Sequence, residues 1–289
     1  MNFYPVQSPL IGFFKTKSHF PITTHPSYVS YGNEPRESYA KNHAIVFLSV
    51  YPADAMIRSA EHLCQDGYRV YIVMDDNTKP LPAHDSSKVT LVRYNQGVAE
   101  AEGYTNSVLW VKDRASSRCK ALYHFAHLPH TYDYVWMIED DVFVPSKNTI
   151  RHLDELYPTG DLLCTGNEKN TTGELTSWPW WEKINGKIDL PWSKSMISAI
   201  RVSPALLRAI DTYATKHKTL LFDEAMFTTL ALHHQLSIVN PPELGNIVYW
   251  HKQWDVNEFK PFHMYHPVKN WDQHVSYKKQ MGMELATDL

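Results

Sequence analysis

Three consecutive acidic residues, Glu139, Asp140 and Asp141, interrupt an otherwise apolar run that reads YVWMIEDDVFV. Carboxylates are costly to bury unless a cation or hydrogen-bond donors meet them. Their oxygen atoms are the ligands that Mn²⁺ and Mg²⁺ prefer, and the same ions prefer phosphate oxygens. Because alternate side chains of an extended strand point to opposite faces, we expect Glu139 and Asp141 to share a side. Asp141 is the predicted metal ligand; the alternative is a solvated acidic turn.

A second acidic pair, Asp223-Glu224, lies at the start of a predicted helix. A reaction in which a hydroxyl attacks needs a carboxylate to take up its proton. Asp is also a good N-cap, and Glu is favoured in the first turn of a helix. Both interpretations hold if one residue caps the helix and the other acts as the base.

The elements that must position these residues alternate between strands and helices. Continuous apolar runs typical of buried strands occupy residues 43–51, 69–74, 89–94 and 134–138. Helices are predicted over residues 116–127, from Ser203-Pro204 and from Asp223, and residues 247–250 resemble a further strand. This order predicts an α/β fold with a mixed sheet flanked by helices, in which ligands bind at the carboxyl ends of the parallel strands.

Composition excludes several classes of protein. The 289 residues carry a net charge of -3, so no basic field for nucleic acid is expected. Neither G-x-G-x-x-G nor G-x-x-x-x-G-K-[ST] is present, which argues against dinucleotide-binding Rossmann enzymes and P-loop NTPases. The sequence has only three cysteines, no signal-peptide pattern and no apolar stretch near ~18 residues. These features predict a cytoplasmic enzyme of bacterial or viral type without a transmembrane segment.

The run YVWMIEDDVFV resembles the D-x-D-type motif of GT-A fold glycosyltransferases, in the E-D-D form of inverting families such as the N-acetylglucosaminyltransferases. The order of elements over residues 43–271 is similar to the same fold. The resemblance implies that a hexosyl or pentosyl group moves from a nucleotide-diphosphate sugar, with UDP-sugars favoured, to a hydroxyl of a glycan or glycoprotein. It also implies Mn²⁺ or Mg²⁺ as cofactor and Asp223 or Glu224 as the catalytic base.

Further residues receive roles from this resemblance. The positions it assigns to the donor nucleotide, its ribose or its phosphates are Ser49, Tyr51, Asp75, Asp76, Arg118, Lys120, Glu139, Asp140 and Lys269. Asp75-Asp76-Asn77 is equally well explained as a simple turn. Arg118 and Lys120 are equally well explained as a solvated basic helix face.

The tail sequence HPVKNW resembles the H-x-x-G-x-K-P-W element of some retaining GT-A families. In that element the His binds the metal and the Lys a phosphate, which implies His266 as a ligand together with Asp141 and Glu139. The glycine is missing here, and Asn270 replaces the proline. His251 and His263 are the alternative metal ligands.

Three tryptophans, Trp178, Trp180 and Trp181, form a predicted acceptor wall, because sugar rings stack their apolar faces on aromatic groups. A packed corner of the core is the alternative. We expect an irregular arm over residues 1–40 and a catalytic domain over 41–289, with a nucleotide and metal half (41–145) and an acceptor half (146–289). Inversion is favoured over retention; a sugar-nucleotide nucleotidyltransferase and a non-enzymatic carbohydrate-binding protein are the competing functions.

Overall fold

The computed structural model describes residues 28–31, 42–128, 132–175 and 178–283. Its strands are β1 (Tyr28–Tyr31), β2 (His43–Ser49), β3 (Tyr68–Met74), β4 (Val89–Tyr94), β5 (Tyr134–Glu139), β6 (Leu162–Leu163), β7 (Glu168–Asn170), β8 (Trp192–Lys194), β9 (Ala199–Val202) and β10 (Ile238–Val239). Its α-helices are α1 (Asp54–Glu61), α2 (Gln96–Ala101), α3 (Ser117–His127), α4 (Lys147–Leu156), α5 (Pro204–His217), α6 (Asp223–His233) and α7 (Trp271–Gln280). Short 3-10 helices cover Pro179–Lys183, Pro242–Ile247 and Val256–Glu258.

Eight strands form one sheet in the order β1-β4-β3-β2-β5-β9-β6-β10, and β7 pairs with β8 separately. Strands β4, β3, β2 and β5 are mutually parallel, whereas β1 and β9 run antiparallel to their neighbours β4 and β5. The predicted α/β fold with a mixed, helix-flanked sheet is therefore confirmed. Among the described residues, no helix has the length and apolar character needed to cross a bilayer.

Both faces of the sheet are covered by apolar packing. On β2, Ala44, Val46 and Leu48 join one cluster with residues of α3, α5 and α6, while Ile45 and Phe47 join another with residues of α1 and α4. This alternation explains why β2 is a continuous apolar run. The polar residues that end the strands are left at the carboxyl edge of the sheet.

Strand β2 lies between β3 and β5 in the sheet, so the chain builds the sheet outward from β2 in two opposite directions. The chain passes from β2 to β3 on one side, and β5 occupies the other side. This reversal is a topological switch point, and the crevice at the carboxyl ends of β2 and β5 is where ligands bind in such sheets. Glu139, the last residue of β5, lies there.

Two sequence-based predictions are corrected by the fold. Residues 28–31 belong to the predicted irregular arm, but they form the edge strand β1 because they pair with β4; the rest of the arm, residues 1–27 and 32–40, lies outside the described residues. Residues 247–250 are not a strand. Pro242 opens a 3-10 helix that ends at Ile247, and the chain then leaves the core as an exposed loop.

A buried polar cluster ties α4 to four strands of the sheet. The fully buried carboxylate of Asp154 accepts hydrogen bonds from Tyr68 Oη (2.8 Å), Trp136 Nε1 (3.1 Å) and Arg201 Nη1 (2.7 Å), and His43 Nδ1 lies 2.9 Å away. Burial alone would raise the pKa of Asp154, but His43 and Arg201 outweigh it, so the pKa lies below its ordinary value. The charge of Asp154 therefore stabilises the fold.

We expect Asp154→Asn to lower the free energy of unfolding by about 3 kcal/mol, because it leaves the Arg201 guanidinium buried without its counter-ion. Since folding lowers the pKa of Asp154, this stabilisation is present at neutral pH and is lost as the pH falls below about 4. Urea denaturation at neutral pH and in acid measures both effects. The exposed control Asp189→Asn should change stability by less than about 0.5 kcal/mol; an equally small change for Asp154→Asn would contradict the prediction.

Candidate active site

The acidic triplet lies where β5 gives way to a turn. Glu139 ends the strand, and the amide of Val142 donates to its carbonyl oxygen at 3.1 Å. Ligand atoms of Glu139 and Asp141 lie within 4.8 Å of each other. Glu139 and Asp141 therefore lie on the same side, as predicted, but a turn brings them together and not the alternation of side chains along a strand.

His266 forms a cluster with Glu139 and Asp141. One ligand atom of each lies within 4.8 Å of the others, and no other such group of His, Cys, Asp or Glu is found among the described residues. His266 Nδ1 donates to the carbonyl oxygen of Tyr249 at 2.7 Å, since a carbonyl oxygen can only accept. The second ring nitrogen, Nε2, is therefore the one directed at Asp141 Oδ1, 3.4 Å away.

The electrostatics of this cluster favour a cation at its centre. Burial opposes a charge on His266, but the carboxylates of Asp141 and Glu139 outweigh burial and raise its pKa. Burial acts to raise the pKa of Asp141, but His266 and Lys269 lower it below its ordinary value. Two carboxylates and an imidazole oriented by a backbone carbonyl fit a divalent metal, and the nitrogen ligand suits Mn²⁺ better than Mg²⁺.

Asp140 points away from the cluster and joins β5 to β2. Its Oδ2 accepts a hydrogen bond from the Ser49 hydroxyl at 2.6 Å, and its amide donates to the carbonyl of Leu48 at 3.2 Å. Burial and the neighbouring charges of Asp141 and Glu139 raise the pKa of Asp140, against the hydrogen bond from Ser49. Asp140 and Ser49 thus hold the two strand ends together at the switch point of the sheet.

The loop after β3 borders the same crevice and uses its polar groups locally. Asp76 Oδ1 accepts hydrogen bonds from the amide (2.8 Å) and the hydroxyl (2.7 Å) of Thr78, which is the turn that the sequence leaves open as an alternative. The hydroxyl of Tyr51 donates to the carbonyl of Pro80 at 3.0 Å, so the loops after β2 and β3 are tied together. The half-buried ring of Tyr51 remains partly accessible.

Arg118 and Lys120 lie beneath the site, with 2% and 0% of their surface exposed. Lys120 Nζ donates to the carbonyl oxygen (2.8 Å) and to Oδ1 (3.0 Å) of Asp75. Arg118 Nη2 donates to Glu139 Oε1 at 2.5 Å, and its Nε lies 3.1 Å from Asp223 Oδ2. The alternative of a solvated basic helix face is wrong, because both side chains are buried. Neither cation has accessible surface for a ligand, and both fix the positions of carboxylates.

Asp223 and Glu224 have different surroundings in the first turn of α6. Asp223 is buried, with Oδ2 facing Arg118 and Oδ1 accepting the amide of Glu224 at 3.0 Å. Burial raises its pKa to about 7 despite the opposing Arg118 charge. Glu224 is only partly buried, and burial together with the Glu139 charge raises its pKa to about 7. Of the two, Glu224 is the carboxylate that a ligand can reach.

Glu224 opens onto a cavity of about 390 Å³, the tryptophan cavity, whose wall includes Trp178, Trp180 and Trp250. Trp181 is fully buried and stacks on Trp192 with ring centroids 6.0 Å apart. It therefore belongs to the core, which agrees with the alternative of a packed corner for this residue.

No protein-family model and no curated protein matches the sequence. Among solved structures, the chain is similar to an active-site mutant of LgtC (9% identity over 83% of this chain and 95% of that one, TM-score 0.44). It is also similar to the galactosyltransferase LgtC with donor and acceptor sugar analogues (10%, 82% and 95%, TM-score 0.42). A third is glucosyl-3-phosphoglycerate synthase from Mycobacterium tuberculosis with Mn²⁺, UDP and glucosyl-3-phosphoglycerate (13%, 59% and 60%, TM-score 0.32). Likenesses of this size assign no role to any residue of this chain.

Trp250 and Lys194 are among the residues of the tryptophan cavity that the sequence-based prediction does not include. Trp250 belongs to the predicted strand that is in fact an exposed loop, and half of its surface (50%) is accessible. Lys194 in β8 lies 2.9 Å from Glu168 Oε2, with its ammonium 5.5 Å from the Trp178 ring centroid. The prolines at 241 and 242 lie outside residues 247–250, so they give no signal against a strand there. We find no signal in the sequence for either Trp250 or Lys194.

Proposed function

We propose that this chain is a metal-dependent glycosyltransferase of the GT-A type, which transfers a sugar from a nucleotide-diphosphate sugar to an acceptor hydroxyl. The observation that carries the proposal is the cluster of Glu139, Asp141 and His266 at the switch point of the sheet. Through Arg118, Glu139 is linked to the helix that carries Glu224. A metal-ligating group and an accessible carboxylate beside an aromatic cavity are the two parts that such a transfer requires.

In this proposal the donor nucleotide lies along the carboxyl ends of β2, β3 and β5. Ser49, Tyr51, Asp75 and Asp140 border this crevice, and a UDP-sugar is the favoured donor. The side chain of Lys269 is exposed, and the amide of the preceding residue, Val268, donates to the Asp141 carbonyl at 2.7 Å. Lys269 is thus near enough to the cluster to contact a phosphate of the donor.

Glu139, Asp141 and His266 would hold Mn²⁺ or Mg²⁺. When bound there, a divalent cation would neutralise the charge that grows on the diphosphate as the glycosidic bond breaks. The protein supplies the fixed orientation of the ligands: Arg118 holds Glu139, and the Tyr249 carbonyl holds the imidazole of His266. Ligands that are already oriented need no rearrangement when the reaction occurs.

Glu224 is the proposed base. Its carboxylate accepts the proton of the acceptor hydroxyl as that oxygen attacks the anomeric carbon, and its raised pKa suits a group that gains a proton near neutral pH. Asp223 orients the first turn of α6 and is engaged by Arg118. An external base opposite the leaving group corresponds to inversion. Retention is the alternative favoured by the HPVKNW resemblance, because His266 does join the cluster.

Donor binding tests the proposal directly. We expect a UDP-sugar with Mn²⁺ to raise the free energy of unfolding by about 2.7 kcal/mol at 100 times its Kd, because it binds only the folded state. Thermal unfolding with UDP-, GDP- and dTDP-sugars, each with Mn²⁺ and with EDTA, measures this effect. The sugar nucleotide that stabilises the protein most identifies the nucleotide base of the donor. The corresponding free sugars serve as controls. If no sugar nucleotide stabilises the protein in a metal-dependent manner, the proposal fails.

A further inference from the structure

A second cavity, of about 440 Å³, shares Trp250 with the tryptophan cavity and has cationic walls. We call it the basic cavity. Its charged wall residues are Lys252 and Lys269, and His251 adds a titratable group. No carboxylate is among the described residues that line it. This combination suits an anionic group.

Lys252 is held in a defined position in this wall. Its ammonium lies 4.0 Å from the Trp254 ring centroid and 5.0 Å from that of Tyr249, and Nζ is 2.6 Å from Glu258 Oε1. An ammonium group has three donors, so two remain after the contact with Glu258. Lys269 is exposed and has no ion-pair partner within the part of the chain that the structure describes. Both lysines therefore have hydrogen-bond donors to offer: Lys269 to the donor phosphate proposed above, and Lys252 to a second anionic group.

The tryptophan cavity cannot hold an anion as easily. Its wall contains the Glu224 carboxylate, and the charge of Glu139 is close enough to raise the pKa of Glu224. An anionic group there would be repelled by both carboxylates, even though Lys194 is also present. The aromatic faces of Trp178 and Trp180 suit the uncharged face of a sugar ring.

Trp250 connects the two cavities. It lines both of them, and half of its surface is exposed. The two cavities therefore meet at this residue, and in our proposal one ligand extends from one cavity into the other. Its uncharged part would lie beside Glu224 and its charged part beside Lys252, while Lys269 stays with the donor phosphate.

We infer that the acceptor is an anionic saccharide. Its reacting ring lies in the tryptophan cavity, and its phosphate or carboxylate group is bound by Lys252 in the basic cavity. This inference rests on the proposed function, because it takes Glu224 as the base that defines the acceptor side. It extends that function by naming the chemical class of the acceptor.

Calorimetric titration with three probes tests the inference: glucose, glucose 6-phosphate and glucuronate, each added to protein already saturated with UDP and Mn²⁺. Filling the donor site first prevents the charged probes from binding there. We expect at least one charged probe to bind about tenfold more tightly than glucose, the effect of one charge-assisted hydrogen bond. The comparison of phosphate with carboxylate shows which anion the cavity prefers.

Lys252→Gln should weaken binding of the preferred charged probe about tenfold and leave glucose binding in place. The matched control Lys216→Gln removes an exposed cation on α5 and should change neither. Equal affinity for all three probes would overturn the inference, as would a Lys252→Gln variant that loses affinity for UDP instead of the charged sugar. Binding of UDP with Mn²⁺ to the wild type is measured first, before any sugar is added. Failure of that binding would refute the proposed function.

Discussion

Replacing Asp141 with asparagine is expected to lower the rate of sugar transfer by about 10³-fold and to remove its dependence on Mn²⁺. The amide keeps the shape of the side chain but loses the charge that the metal and His266 share. With Asp141 neutral, the imidazole also loses the nearest of the charges that raise its pKa. Mn²⁺ affinity, followed by electron paramagnetic resonance, and transfer from a radiolabelled UDP-sugar measure the two effects.

Asp133→Asn is the matched control, because Asp133 precedes the opposite end of the same strand and is exposed. It should leave metal affinity and transfer unchanged. Urea denaturation without metal separates loss of the metal site from loss of the fold. Asp133→Asn should unfold close to the wild type, whereas Asp141→Asn should stay folded with a lower free energy of unfolding, because His266 and Lys269 stabilise the ionised carboxylate. Full Mn²⁺-dependent transfer by Asp141→Asn would refute its role as a metal ligand.

Replacing Glu224 with glutamine is expected to lower transfer by about 10²- to 10⁴-fold while leaving metal-dependent donor binding intact. Glutamine fills the same space in the tryptophan cavity but cannot accept the proton of the acceptor hydroxyl. Initial rates at saturating donor, together with the thermal shift caused by UDP and Mn²⁺, distinguish a lost base from a lost binding site. A loss of donor binding equal to the loss of rate would place Glu224 in the donor site.

The pH dependence of the wild type gives a second test of this base. Glu224 must be ionised to act, and burial and the Glu139 charge raise its pKa to about 7, so the rate should fall as the pH drops through that region. A metal ion bound to Glu139 screens that charge and should move the acid limb to lower pH. In Glu224→Gln this limb should disappear. A limb that persists in the variant would assign the titration to another group.

For Glu224→Gln, we expect the stability of the fold to rise or stay the same while the transfer rate falls. Because folding raises the pKa of Glu224, ionisation of this residue destabilises the folded state as the pH rises from about 4 to neutrality. The glutamine variant lacks this penalty, so above neutral pH it should unfold at the same temperature as the wild type or higher. The anomeric configuration of the product, read by NMR, completes the test, since retention would exclude Glu224 as an external base.

Much of the architecture is readable from the sequence because it depends on local patterns. The apolar runs over residues 43–51 and 134–138 correspond to β2 and β5, and Ser116 and Ser203 cap α3 and α5 through their side chains. The hydrophobic period and the caps act within a few residues, so no distant partner is needed to predict them. The prediction for residues 247–250 fails because an apolar run does not reveal whether it is buried.

The acidic triplet and the pair at the start of α6 are likewise visible in the sequence, since three carboxylates inside an apolar strand and two at a helix start are local features. Which of these carboxylates is paired and which stays accessible depends on the tertiary structure. Arg118 occupies Asp223 and leaves Glu224 accessible, while His266 joins Asp141 from the far end of the chain.

The α/β order of elements, the acidic end of β5 and the chemistry that its carboxylates support all follow from the order of residues in the chain. Which residues are accessible and which are buried depends on the tertiary fold. Trp181 lies in the core while Trp250 lines two cavities, and Arg118 and Lys120 support the site from below. The physical reason is that burial and pairing depend on segments that are distant in the chain and meet only when the sheet and its helices pack.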